Sequence, residues 1–123
     1  MLHTLQRAEL LALLSSPAKK LKAMSKPDKV YLDNTNLMYA FSPKSDIGTI
    51  RETNFLNQLK NIASVDMPAM GDFMVDNKYT FEVGGRSKTF EQIKDLPDSY
   101  LAIDSIECGH HNRIPLYMFG MLY

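Results

Sequence analysis

The chain has 123 residues, 45% hydrophobic and 23% charged, with 14 acidic and 14 basic side chains that cancel. That is the size and balance of one soluble globular domain with its own core, and the zero net charge excludes bulk electrostatic attraction to nucleic acid or membrane. The single cysteine, Cys108, excludes an intramolecular disulfide and points to a reducing, cytoplasmic setting, and no apolar run approaches the ~20 residues of a membrane span.

Leu2, Leu5, Leu10, Leu13 and Leu14 fall near helical spacing, which predicts a helix over 2–15 ended by Pro17. Residues 17–29 hold five lysines and two prolines and read as a solvated connector. "VYLD" (30–33) reads as a strand, and "NTNLMYAF" (34–41) as a short helix capped by Asn34. "GTIRETNFLNQLKN" (48–61) is the clearest helix: Thr49 and Glu52 have capping-box spacing, and Phe55, Leu56 and Leu59 form its apolar stripe. "DFMVD" (72–76) and "YTFEV" (79–83) read as a hairpin, and Gly84-Gly85 ends its second strand. Thr89 and Gln92 predict a capped helix over about 90–95. "SYLAID" (99–104) is a strand, "IEC" (106–108) a further candidate, and "IPLYMFGMLY" an apolar end in need of cover. This order predicts an α/β chain, a mixed sheet flanked by helices.

Three carboxylates stand where chemistry could use them. Glu52 is in phase with the apolar stripe of its helix, Asp72 opens the first hairpin strand, and Glu82 lies in the second. Convergence of such oxygens is what a divalent ion needs for phosphodiester hydrolysis, with Mg or Mn as the candidate cofactors. A three-residue loop at 76–78 would set Asp72 opposite Glu82 on one face. The bland alternatives are a capping role for Glu52, backbone donors for Asp72, and a cation such as Arg51 or Lys88 for Glu82.

Helix Glu, strand Asp and strand (Asp/Glu)-x-Lys is the order of the PD-(D/E)xK nuclease superfamily. The blocks "KPDKVYLDNTNLMYAF", "GTIRETNFLNQL", "GDFMVDNKYTFEVGGRSKTFEQI", "YLAIDSIECG" and "RIPLYMFGMLY" resemble one family more narrowly: a domain of unknown function at the C-terminus of predicted prokaryotic AAA+ ATPases. The resemblance implies a restriction-endonuclease-like fold over 26–123. Residues 1–25 would then be a helix and linker remnant of an upstream segment. It also implies partners: the upstream ATPase region or another protein, with nucleic acid as a further candidate. The sequence contains no G-x-x-x-x-G-K-[ST] loop, so no ATP site is expected in this chain. The superfamily lysine falls on Gly84, which makes a non-catalytic module the first expectation and a metal-dependent nuclease using Glu52, Asp72 and Glu82 the alternative. Lys88 is the candidate to reach back and replace the lysine.

Lesser signals complete the reading. Gly84, Gly85, Arg86, Ser87 and Lys88 could cradle an anion. Cys108, His110 and His111 are too few for a structural zinc site. The apolar ends could support a homodimer.

Overall fold

The computed structural model describes residues 11–20, 26–32, 46–109 and 111–121. Its architecture is mixed α/β. Two strands, β1 (Leu11–Leu14) and β2 (Lys29–Leu32), form an antiparallel ribbon. β3 (Val65–Asp66), β4 (Phe73–Val75), β5 (Tyr79–Gly84), β6 (Ser99–Ile103) and β7 (Arg113–Pro115) form a sheet in that order. The β3-β4-β5 part is antiparallel and the β5-β6-β7 part parallel.

Residues 11–14 are a strand, not the C-terminal end of a helix. Ala12 and Leu14 are buried while Leu11 and Leu13 are half-buried, a period of two that only a pairing partner can reward. That partner is β2, with Leu14 across from Lys29 and Leu11 across from Leu32. Positions 1–10 of the expected helix lie outside the described residues, as does the helix expected over 34–41. The lysine-rich connector is partly structured. A short helix α1 (Pro17–Lys20) places Lys19 2.6 Å from Asp28 and pairs Lys20 with the buried Asp66 of β3. The Met67 N–H donates to Ser15 O at 2.8 Å, so ribbon and sheet are joined by backbone as well. Ala12, Leu14 and Tyr31 belong to the same core as the long helix, so the two sides of position 25 share one packing unit.

The long helix α2 runs Ile47–Leu59. Its cap is Asp46, not Thr49: the Asp46 carboxylate accepts from Thr49 N at 3.0 Å and from the Thr49 hydroxyl at 3.3 Å. Glu52 is thereby released from the capping box. Phe55 is fully buried at the centre of the core, with ring centroids 5.0 Å from Phe73, 5.1 Å from Phe81 and 4.9 Å from Phe119. Phe119 comes from the 3₁₀ turn Leu116–Met121, which supplies cover to the same face.

The opposite face of the sheet carries Leu101 and Ile103, and its apolar cover is Ile93 with Phe90, Leu96 and Ile106. Residues 85–98, the crossover from β5 to β6, are turns instead of the helix expected over 90–95. Ile93 N–H donates to Phe90 O and Leu96 N–H to Ile93 O. Phe90, Ile93 and Leu96 recur every three residues, a spacing that lines up in a three-residue turn and drifts around an α-helix. "IEC" is likewise not a strand, and the last strand is Arg113–Pro115. No helix among the described residues is long and apolar enough to cross a membrane.

Candidate functional site

Glu82 is the centre of the site. Strand alternation turns Phe81 and Val83 toward α2, so Glu82 points to the opposite face, beneath the 85–98 crossover. Its side chain is 1% exposed. The Lys88 ammonium lies 2.7 Å from Oε2, and the Gln92 amide, with its NH₂ turned to the carboxylate, donates to Oε1 at 2.5 Å and to Oε2 at 3.2 Å. The Lys88 pKa is held above the ordinary lysine value, first by its hydrogen bond to Glu82, against the opposing effect of burial. The charges of Glu82, Asp72 and Glu52 add to the rise, so the ammonium stands in the combined field of all three acids.

The glycine pair has a spatial reason. A Cβ on Gly84 would lie 2.8 Å from Lys88 Cδ, and one on Gly85 would lie 2.9 Å from Arg51 Nη1. Lys88 therefore occupies the space beside Gly84 where a strand lysine would begin. It reaches back from a turn, not from the next helix. Arg51 crosses Gly85 and donates from Nε to Asp104 at 3.0 Å. Of the two cations weighed for Glu82, Lys88 is the partner and Arg51 is not.

The hairpin loop has three residues, with Val75 across from Tyr79 and Phe73 across from Phe81. One step further this register would set Asp72 across from Glu82. The ladder shifts there, because Asp72 N–H donates to Phe81 O at 2.9 Å and its carboxylate accepts from Val83 N–H at 2.8 Å. Asp72 thus supplies an acceptor to β5 just before β4 begins at Phe73. Its charge still reaches Glu52, Tyr31 and Lys88.

Glu52 lies on the α2 side. It accepts from the Tyr31 hydroxyl at 3.2 Å and sits 3.7 Å from Lys29 Nζ. Burial raises its pKa above the usual glutamate value, Asp72 raises it further, and Lys29 and Tyr31 oppose the rise. Burial, followed by Glu52, pushes the Tyr31 phenol strongly upward. For an acid with a raised folded pKa, ionisation costs stability as pH rises above the unfolded value near 4.5. Glu52→Gln is therefore expected to melt higher than the parent chain at pH 7.5, with the gap closing as pH falls toward 4.5. A gap that widens on acidification, in thermal melts followed by circular dichroism, would reverse the assignment.

Among the described residues, no three His, Cys, Asp or Glu side chains are grouped as they would be around one metal ion. The expected anion cradle has its donors turned inward: Arg86 donates to Ser105 O at 2.8 and 3.3 Å, and Lys88 engages Glu82. Arg113 donates to the carbonyls of Arg86 and Lys88, at 2.9 and 3.3 Å. Cys108 is exposed, and His110 lies outside the described residues. Sequence reasoning missed Tyr31, Gln92, Asp104 and Arg113, polar residues whose targets are distant in sequence or hidden by an expected helix.

No family model, no curated protein and no solved structure matches this chain.

Proposed function

We propose that this chain is a non-catalytic, nuclease-like recognition module, the C-terminal part of an AAA+-type ATPase, acting on a protein partner or nucleic acid or on the ATPase itself. The observation that carries this reading is that each acid already has its own protein donors. Glu52 is held by Tyr31 and Lys29, Asp72 by the Val83 N–H, and Glu82 by Lys88 and Gln92. A ligand ion would have to displace several charge-assisted hydrogen bonds, each stronger than a neutral one.

One observation favours a second reading, a Mg- or Mn-dependent phosphodiesterase. Lys88 lies over Gly84 with its ammonium on the buried Glu82, which restores the lysine that the strand lacks. In that reading Lys88 would stabilise developing negative charge, and Glu82, Asp72 and Glu52, which are not grouped around one point, would have to leave their present partners to hold an ion that polarises the phosphodiester and activates water.

Incubating the pure chain with supercoiled plasmid and Mg²⁺ or Mn²⁺, beside Glu82→Ala and Lys88→Ala, separates the two. The proposal expects no nicking above the variants, together with measurable binding of a labelled duplex or of the ATPase region. Nicking that both substitutions abolish establishes the second reading instead.

A further inference from the structure

We infer that residues 85–98 form a strap over the second face of the sheet, latched on Glu82, that opens as a unit while the rest of the fold stays closed. The strap is pinned at its ends. The carbonyls of Arg86 and Lys88 accept from Arg113, and the Asp98 carbonyl accepts from Thr80 N–H at 3.0 Å. Gly84-Gly85 makes one end backbone-permissive, and at the other Pro97 fixes φ and Asp98 at φ 49° turns the chain into β6. Between the pins, what holds it down is mixed in kind, and its apolar part is one buried side chain, Ile93, with the half-buried Phe90 and Leu96. Ile93 is buried against Leu101 and Ile103, and Lys88 and Gln92 grip Glu82. Most other strap side chains, among them Ser87, Thr89, Glu91, Lys94 and Asp95, face water, while Arg86 adds a tie to Ser105 O.

Such a segment belongs at the low-stability end of a fold, where sub-global openings occur. The main core, built on Phe55, lies on the other face and needs nothing from the strap. Lifting it would expose the Glu82 carboxylate, which is 1% exposed with the strap down. The Asp72 corner is under the same cover, because a Cβ on the adjacent Gly71 would meet Ile93 Cγ2 at 3.2 Å. The strap is therefore a gate on the two strand carboxylates, and a ligand that needs Glu82 must raise it. The inference rests on the placement of these carboxylates, and its test uses neither nucleic acid nor metal, so its failure is separable from failure of the proposed function.

The test is native-state amide exchange by NMR on the full chain. The reporters are the hydrogen-bonded amides of Ile93 and Leu96 for the strap and of Leu101, bonded to Asn112 O, for the sheet. Expected are at least tenfold faster exchange, after correction for intrinsic rates, at Ile93 and Leu96 than at Leu101, and a further rise of at least tenfold at both strap amides in Lys88→Met. Phe55→Leu, on the other face, should speed Leu101 at least threefold and leave the strap amides unchanged. If Lys88→Met does not fold, Gln92→Ala carries the same reading with at least a threefold rise at Ile93 and Leu96. Equal protection of strap and sheet amides in the parent chain, or strap amides indifferent to both latch variants, overturns the inference.

Discussion

Lys88→Met is expected to lower the unfolding free energy by about 3–5 kcal/mol, and Glu82→Gln by about 1–2 kcal/mol, although both remove the same ion pair. The asymmetry comes from what each variant leaves behind. Without Lys88, the Glu82 carboxyl group is left at 1% exposure with Gln92 as its remaining donor among those the structure shows. Without the Glu82 charge, Lys88 is 34% exposed and can turn its ammonium to water. A buried carboxylate has no such escape short of lifting the strap. The double variant Glu82→Leu/Lys88→Met removes both charges and is expected to recover most of the loss or exceed the parent, since apolar replacement of a buried pair is often neutral or stabilising. Urea denaturation of the four proteins compares the three losses directly. Near-equal losses in the two single variants would show that Glu82 is not desolvated as the structure places it. Recovery in the double variant would show that the pair does not serve stability, leaving function as the reason for its presence.

The parts of this fold that could be read from sequence are those with local, repeated signals. The hairpin announced itself through alternating apolar residues around Asp76-Asn77-Lys78, and Asp76 and Asn77, the central pair of the turn closed by Lys78 N–H on Val75 O, both adopt positive φ. The long helix showed in the spacing of Phe55, Leu56 and Leu59. The failures have physical causes. Leu13 and Leu14 are adjacent, a helix-like pattern, and the strand that rewards alternation at 11–14 lies at 29–32. β3 and β7 span two and three residues, too few for any period to register. Phe90, Ile93 and Leu96 looked helical beside a Thr-Gln capping pair, yet a spacing of three equally suits successive tight turns, and Gln92 was needed on Glu82. Of the candidate site, Glu52, Asp72, Glu82 and Lys88 stood out in the sequence because those residue types are individually costly to bury. Their separate partners were not legible, since Tyr31 finds Glu52 across 21 positions and Asp72 finds the Val83 backbone only through the hairpin register.

Phe55→Ala is expected to lower the unfolding free energy by about 3–5 kcal/mol, and Phe55→Leu by about 1–1.5 kcal/mol. Phe55 is 0% exposed, and its ring meets Phe73, Phe81 and Phe119 from three separate elements. Truncation removes those aromatic contacts, each about 0.5–1.5 kcal/mol beyond area burial, and leaves a cavity that hydrogen-bonded strands cannot collapse to fill. The loss also bears on the site. α2 carries Glu52 to Tyr31 and Arg51 to Gly85 and Asp104, and Phe55 is one helical turn beyond them. Loosening the helix should relax Glu52 toward water and lower its raised pKa toward the ordinary glutamate value, because desolvation is the first cause of that rise. The chain has no tryptophan, so unfolding is followed by circular dichroism and tyrosine fluorescence, and Glu52 by NMR titration of its carboxyl carbon. A stability loss below about 1.5 kcal/mol in Phe55→Ala, within the range of a volume-conserving core swap, would place the helix elsewhere than on this aromatic cluster. A large loss with Glu52 unchanged would keep the packing and separate it from the electrostatics of the acids.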